Sequence, residues 1–561
     1  MKPRRINRPY QLMLLAGIVA GICLIALAAI LLAQLVIFPL GSAGGTGLDF
    51  LDPAIVETVI FTAYQAALST FFSILIGAIL AWSLANNPNF PFRNLLVALI
   101  SSALVLPTLV VVLGIVSVYG RNGWLADISF LLFSQKLPFS IYGLNGILLA
   151  HVFFNASFAC RILLHRFESI AEEKHKQCFA LGIGFWRRLR IVELPAITTT
   201  LPGLATTIFL LCFTSFAIVL TLGGSPEFNT LEVAIYESVR FDFDLPRAFQ
   251  LAIIQIIICT VLVLIASAKV VSSTAVSVNR TKRYRYLYSA REIIFQRGAI
   301  ALFAVFFITP LIAVLMDGTG SQLIAIFSNK SFLNGLGNSI GIAAVASLLA
   351  MILSVVVASA TVTLSSPARL MQVSGKLPVL SSSILARVLA RMISISAMLY
   401  LVFPALVMGL GFFLLYQRFG GNPVIWAACV VTLANALFAI PFTVAVLRPA
   451  IQGAAKKHDR LCASLGLGRW TRWRHIDWPT LKSDVTYAAA LAFCFSLGDL
   501  GVIALFGSEE FRTLPWLLYQ NFGAYRTQEA SAIALILLIL VIGVFWIAQL
   551  SASSSAKEHS A

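Results

Sequence analysis

EEKHKQCFALGIGFWRRLRIVELP occupies Glu172 to Pro195, and AKKHDRLCASLGLGRWTRWRHIDWP occupies Ala455 to Pro479. At a constant offset of 284, Cys178 falls on Cys462, Leu181 on Leu465, Gly182 on Gly466 and Gly184 on Gly468. The same offset carries Trp186 onto Trp470, Arg188 onto Arg472, Arg190 onto Arg474 and Pro195 onto Pro479. Each copy is basic, punctuated by glycine, and set between long apolar runs. Neither Lys174–Leu181 nor Arg460–Leu465 contains proline, so a short helix is expected in each. Gly182 and Gly466 are placed to end it, because glycine accepts the left-handed conformation of a sharp helix stop. Aromatics and arginines follow, suited to a membrane interface. Pro195 and Pro479 then open the next apolar run, where proline is tolerated. A loop made twice is expected to grip one partner twice. Charge bias alone would account for the basic residues but does not require duplicated glycines and tryptophans.

Outward from these loops, the chain reads as an all-α polytopic membrane protein. Its 561 residues are 59% hydrophobic and only 11% charged. A soluble domain carries about a quarter charged residues. Twelve apolar runs of spanning length lie near 12–40, 59–85, 95–119, 142–165, 198–222, 248–268, 298–316, 337–364, 394–417, 424–447, 485–506 and 530–550. The first follows the basic head MKPRRINR and exceeds a signal-peptide core, so it is read as an uncleaved span. Residues 1–268 are expected to form a first transmembrane repeat, 269–297 a basic cytoplasmic linker and 298–561 a second transmembrane repeat. With the N-terminus inside, 32 of the 40 Lys and Arg residues fall in inner segments, so both termini are expected in the cytoplasm. The net charge of +17 is thereby assigned to inner loops rather than to nucleic-acid binding. The eight cysteines include no CxxC pair, so neither a zinc site nor a disulfide framework is expected.

The halves also match beyond the loops. LPTLVVVLGIVSVYGRNG from Leu106 parallels FPALVMGLGFFLLYQRFG from Phe403, pairing Pro107 with Pro404, Gly114 with Gly411 and Tyr119 with Tyr416. NASFA at Asn155 parallels NALFA at Asn435, and TLEVAIY at Thr230 parallels TLPWLLY at Thr513. An even number of spans per half gives both halves one orientation, related by an axis along the membrane normal, with a path expected between equivalent bundles.

Polar groups inside the spans are few. Asp499 lies in the eleventh run between Gly498 and Gly501. A carboxylate at that depth costs about 2.5–3.5 kcal/mol on insertion scales, so it must face a partner or a wet cavity. It is either a contact for a cationic solute or an anchor to a neighbouring helix. Asn155 and Asn435 hold equivalent places and read as interhelical hydrogen-bond glue or as lining of the path. The acids Glu227, Glu232, Glu237, Asp242 and Asp244 share one outer loop, with Glu509 and Glu510 in its counterpart. They form either a docking rim for a partner or a solvated face. There is no GxxxxGK[ST], HExxH or GxSxG motif and no HxxxH pair, so no catalytic, metal or cofactor site is expected, and neither is ATP hydrolysis by P-loop chemistry.

The loops resemble the coupling loop of ABC importer permeases, whose pattern is EAA, three residues, Gly, then I-x-LP. Ala180-Leu181-Gly182 with Ile191 and Leu194-Pro195 matches its core, as does Ser464-Leu465-Gly466 with Ile476 and Pro479. The sequence departs where the leading Glu falls on Lys176 and Arg460, and where Trp478 replaces Leu. Further along, FLLCFTSFAIVLTLGG from Phe209, LEVAIY from Leu231, SLGDLGVIALFG from Ser496, FRTLPWLLYQ from Phe511 and AYR from Ala524 resemble the fused permeases of bacterial thiamine importers. The resemblance implies inward transport of thiamine and its phosphates across the inner membrane. It also implies a periplasmic solute-binding protein and two copies of a separate ATP-binding subunit, one on each loop. Related fused permeases carry ferric iron and share the duplicated loop. An ion-coupled secondary transporter is the reading from another class, and it would place several ionisable residues in its spans, where Asp499 stands nearly alone.

Overall fold

The computed structural model describes residues 8–41, 52–134, 140–224, 227–269, 289–320, 322–365, 383–465, 467 and 469–558. Helices account for all its regular structure, with no strand among the described residues. Among those residues eleven helices are long and apolar enough to cross a membrane. The pair Phe185–Thr198 and Leu201–Phe213, bent by 60°, makes twelve if counted as one span. The protein is thus an all-α, multi-pass membrane protein. Residues 270–288 of the basic linker, and Gly466 and Gly468 of the second loop, lie outside the described residues.

The helices gather into two compact units. One comprises Gly47–Gly320, the other Met1–Thr46 with Ser321–Ala561. The sequence repeat and the spatial units therefore differ by one helix each. Helix Arg8–Gly41 is grouped with the second half and helix Ala290–Gly318 with the first.

In the unit of the first half, Pro53–Asn86 and Leu144–Glu168 form the central pair, joined by a hydrogen bond of 2.9 Å between Ser69 Oγ and His151 Nδ1. Helix Ala290–Gly318 is held there by aromatic and polar contacts. The Phe307 ring stacks on Phe153 at 4.5 Å, and Asn87 Nδ2 donates to Gln296 Oε1 at 2.7 Å. At Gly114 the backbone of this helix approaches so closely that a Cβ would sit 2.3 Å from the Pro310 carbonyl oxygen.

In the unit of the second half, Lys330–Ser365, Pro423–Ser464 and Trp478–Gly498 meet along an alanine seam of Ala346, Ala350, Ala436, Ala439 and Ala492. Small residues suit this place because helices in lipid associate through close van der Waals packing. Ser354 and Thr443 share a hydrogen bond of 2.6 Å within the seam's neighbourhood. Helix Arg8–Gly41 is tied in by Tyr400 Oη, which donates to the Leu24 carbonyl at 2.8 Å. Gly411, the sequence partner of Gly114, again faces the added helix, and its Cβ would lie 3.1 Å from Leu31. One repeated glycine thus serves one repeated helix crossing.

Two spans in each half are broken. The third divides before Pro107 in one half and before Pro404 in the other, separating Arg93–Ser102 from Thr108–Tyr119 and Ser383–Met398 from Ala405–Phe419. A residue before proline is driven from the helical region, so the apolar run at 95–119 is two helices rather than one. The fifth divides at Thr214–Phe216 and at Asp499–Leu500.

Candidate functional site

The first loop folds as the helix Glu172–Ala180. It ends in a Schellman turn. Gly182 has φ +61°, its N–H donates to the Phe179 carbonyl at 3.0 Å, and the Ile183 N–H reaches the Cys178 carbonyl at 2.9 Å. These bonds satisfy carbonyls that a helix end would leave free. In the second loop the corresponding helix is the last part of Pro423–Ser464, and Leu467 N–H reaches the Cys462 carbonyl at 3.2 Å. Cys178 and Cys462 point inward and are buried. Lys176, Ala180, Gly182, Arg460 and Ser464 are exposed. The apolar side chains at the tips are exposed too, Leu181 at 75%, Trp186 at 77%, Leu465 at 62% and Trp470 at 67%. Both tips thus present apolar side chains at the surface.

Past each tip the chain makes the same irregular turn. Leu189–Glu193 and Trp473–Asp477 are π-helical, closed by Leu194 N–H to Leu189 C=O and Trp478 N–H to Trp473 C=O. Pro195 and Pro479 stand directly beyond. A proline lacks the N–H of an α-turn and its ring strikes the carbonyl four residues back, and a widened turn relieves both faults. The widening changes which side chains meet. Residues five apart do not share an α-helical face, but across a π turn they do. Arg188 Nε accordingly donates to Glu193 at 3.2 Å, and Arg472 Nε donates to Asp477 at 3.0 Å. Glu193 is buried and also accepts from Trp82 Nε1 at 2.7 Å. Pattern reading of the loops passed over these pairs. Their signal was present, since the acids recur at the same offset as the arginines.

The fifth-span breaks hold the polar residues singled out from sequence. Asn155 Nδ2 donates to Cys212 Sγ at 3.1 Å. Asn435 Nδ2 donates to Ser496 Oγ at 3.0 Å and to its carbonyl at 3.3 Å. Cys212 and Ser496 are one another's counterparts at offset 284, each three residues before a break position. The Cys212 carbonyl accepts instead from Gln65 Nε2 at 2.9 Å. In both halves, then, a carbonyl next to the break receives a side-chain donor from a neighbouring helix. Asp499 ends the helix Trp478–Gly498, and its Oδ1 accepts the Gly501 N–H at 3.2 Å, bracing the start of Gly501–Phe506. Its Oδ2 is shielded and has no hydrogen-bond partner among the described residues. The first-half counterpart is Ser215.

The acidic segment 227–244 is less open than its composition implies. Glu232 is buried and accepts from Gln255 at 3.0 Å, Glu237 accepts from Asn229, and Asp244 Oδ1 accepts the Arg247 N–H at 3.0 Å. Glu227, Asp242, Asp244, Glu509 and Glu510 are exposed.

A duplicated, all-α, multi-pass bundle with a repeated apolar-tipped loop fits a transport permease of the inner membrane. A family profile described as binding-protein-dependent transport system inner membrane component matches residues 73–273. The thiamine transport system permease protein ThiP of Brucella abortus (strain 2308) is 38% identical over 521 residues, 92% of each chain. ThiP of Escherichia coli (strain K12) is 37% identical over 498 residues, 88% of each chain. ThiP of Salmonella typhimurium is 36% identical over 534 residues, covering 94% of this chain and 95% of the relative. No solved structure matches. The chain belongs to the ThiP family of permeases.

Proposed function

We propose that this chain is the membrane permease of an ABC importer that moves thiamine and its phosphates into the cytoplasm. Energy comes from ATP hydrolysed on two copies of a separate subunit, one docked on each loop. Lys176, Ala180, Leu181, Gly182 and Pro195 form the first docking site, and Arg460, Ser464, Leu465, Gly466 and Pro479 the second. A periplasmic solute-binding protein delivers the solute to the outer face, the spans are embedded in membrane lipid, and both termini are cytoplasmic. Asn155 and Asn435 act as interhelical glue at the breaks, and Asp499 braces its break. The alternative cargo is ferric iron.

The observation that carries the reading is the repeated helix end at exposed Leu181 and Leu465, in a chain whose full-length relatives are named thiamine transport permeases. The departure at Lys176 and Arg460 is accommodated because the apolar tip, rather than the leading acid, supplies the contact area. The test is uptake into proteoliposomes holding the permease, its ATPase and its binding protein. ATP-dependent accumulation of labelled thiamine, unaffected by excess ferric iron, is expected. Accumulation of iron without thiamine uptake overturns the cargo assignment. Thiamine uptake without an ATPase overturns the ABC assignment.

A further inference from the structure

A short helix follows the fifth span in each half, Leu231–Arg240 in the first and Leu514–Gly523 in the second. Each is seated the same way. Leu231 N–H donates to Thr62 Oγ1 at 3.0 Å, and Leu514 N–H donates to Ser339 Oγ at 2.7 Å. At an offset of 283, Asn229 falls on Arg512 and Glu237 on Gln520. In the first copy Asn229 Nδ2 donates to Glu237. The second copy therefore has a guanidinium where the first has an amide, and an amide where the first has a carboxylate. Beside Leu514–Gly523 lies a cavity of about 310 Å³, with Arg512, Arg526, Gln520, Asn521 and Glu529 on its walls. Its frame is fixed. Asn338 Nδ2 donates to the Arg512 carbonyl at 3.0 Å, and Leu517 packs so near Gly335 that a Cβ there would lie 2.5 Å from it. The Arg512 Nε is shielded and has no hydrogen-bond partner among the described residues. Arg512 NH2 is 4.0 Å from Glu509, whose side chain is 97% exposed, and Arg526 NH1 is 4.0 Å from Glu529. Both distances exceed a charge-assisted hydrogen bond, so neither contact fills a guanidinium fork.

We propose that this cavity is a binding site for the phosphate of a small phosphate ester, held by Arg512 and Arg526. A guanidinium meets a phosphate through two parallel N–H···O bonds. The amides of Gln520 and Asn521 supply further donors on the same walls. The volume is that of a small-molecule pocket and exceeds what one bare anion fills. Glu529 adds a carboxylate, so the ester that fits best also carries a positive charge. A thiamine phosphate has this chemistry, with its thiazolium cation and its phosphate ester. A phosphatidylethanolamine headgroup has it too, and basic pockets of membrane proteins hold such headgroups. In naming thiamine phosphates the inference rests on the cargo proposed above. The span Trp470–Phe506 separates the helix from the second loop, so the cavity lies at the end of that span where the solute arrives.

The test is binding to the purified full-length permease in a phosphate-free sugar detergent. Labelled thiamine diphosphate is titrated, with thiamine and inorganic phosphate as competitors. Phosphatidylethanolamine carried through purification is counted by native mass spectrometry. The wild type is expected to bind the diphosphate, and inorganic phosphate more weakly. Arg512→Gln and Arg526→Gln are each expected to weaken the diphosphate about tenfold, the scale of one charge-assisted contact. Arg512→Lys recovers part of that loss. Glu529→Gln weakens the diphosphate more than inorganic phosphate, because only the former carries a cation. Should Arg512→Gln fail to assemble, Arg526→Gln decides, since that side chain is 66% exposed. Retained phosphatidylethanolamine that is lost in both arginine variants, without diphosphate binding, supports the phosphate site and assigns it to the lipid headgroup. No binding of either ester overturns the inference, as does equal binding by the wild type and both arginine variants. Tighter binding of thiamine than of its diphosphate overturns it as well. The uptake assay above reads the cargo separately: thiamine uptake without phosphate-ester binding removes this site alone, and iron uptake without thiamine removes the cargo reading and leaves the lipid arm to decide the site.

Discussion

Gly182→Val isolates backbone geometry from contact. Gly182 holds φ +61°, and no atom lies within 4 Å of the Cβ it lacks. A substituted side chain meets nothing, so any effect comes from the backbone. An L-residue in the left-handed region loses about 1–2 kcal/mol, with β-branched valine at the upper end. The two Schellman bonds at Gly182 and Ile183 depend on that conformation, so the strain is relieved by fraying the end of Glu172–Ala180. The displaced residue is Leu181, the exposed tip. If docking requires the intact turn, ATPase binding weakens by about 5- to 30-fold, the range that 1–2 kcal/mol commands. Two controls sharpen the measurement. Gly182→Asn should retain most binding, since asparagine visits the left-handed region at low cost. Gly184→Val should be neutral, since Gly184 has φ −68° and ψ 168° and equally open surroundings. The assay is titration of purified ATPase onto the permease in nanodiscs, with permease abundance checked independently. Wild-type affinity in Gly182→Val, or an equal loss in Gly184→Val, refutes the reasoning.

The permease purified without its ATPase should show no ATP hydrolysis, because the sequence contains no phosphate loop; turnover that persists after contaminating subunits are removed contradicts this. Asp499→Asn should keep uptake per assembled complex near wild type, because asparagine retains an oxygen to accept the Gly501 N–H; a large loss at normal assembly would make the carboxylate a solute contact instead. Gly114→Val should destabilise the first-half unit by about 1–3 kcal/mol through overpacking, read as a lowered melting temperature in detergent. Its Cβ has no room beside the Pro310 carbonyl, so unchanged melting would contradict the close crossing.

The fold class was legible from the chain because spanning helices announce themselves by length and composition, which are local properties. The end of the first loop helix was legible for a related reason. A helix stop needs glycine at one position, and Gly182 takes the left-handed conformation its sequence context called for. The repeat multiplied that signal, since Asn155 and Asn435 recur and make equivalent bonds to Cys212 and Ser496. Local pattern was misleading where proline acted at a distance of several residues. The apolar run at 95–119 concealed a break at Pro107, and the LP and WP steps concealed the π turns behind them.

Other features were decided only in three dimensions. That helix Arg8–Gly41 is grouped with the second half and Ala290–Gly318 with the first depends on which surfaces complement each other across hundreds of residues, and apolar faces look alike in composition. Glu232 reads as a loop acid by position yet is buried against Gln255, since burial is fixed by packing rather than by neighbours in sequence. Arg188 reaches Glu292 and Arg472 reaches Asp459, although the arginines are exact repeats. An ion pair requires two charges brought within a few ångströms, and sequence states only one of the two addresses. The physical division is between properties carried by a short segment, which the chain alone determines, and properties of a pair of distant segments, which exist only once the helices have packed.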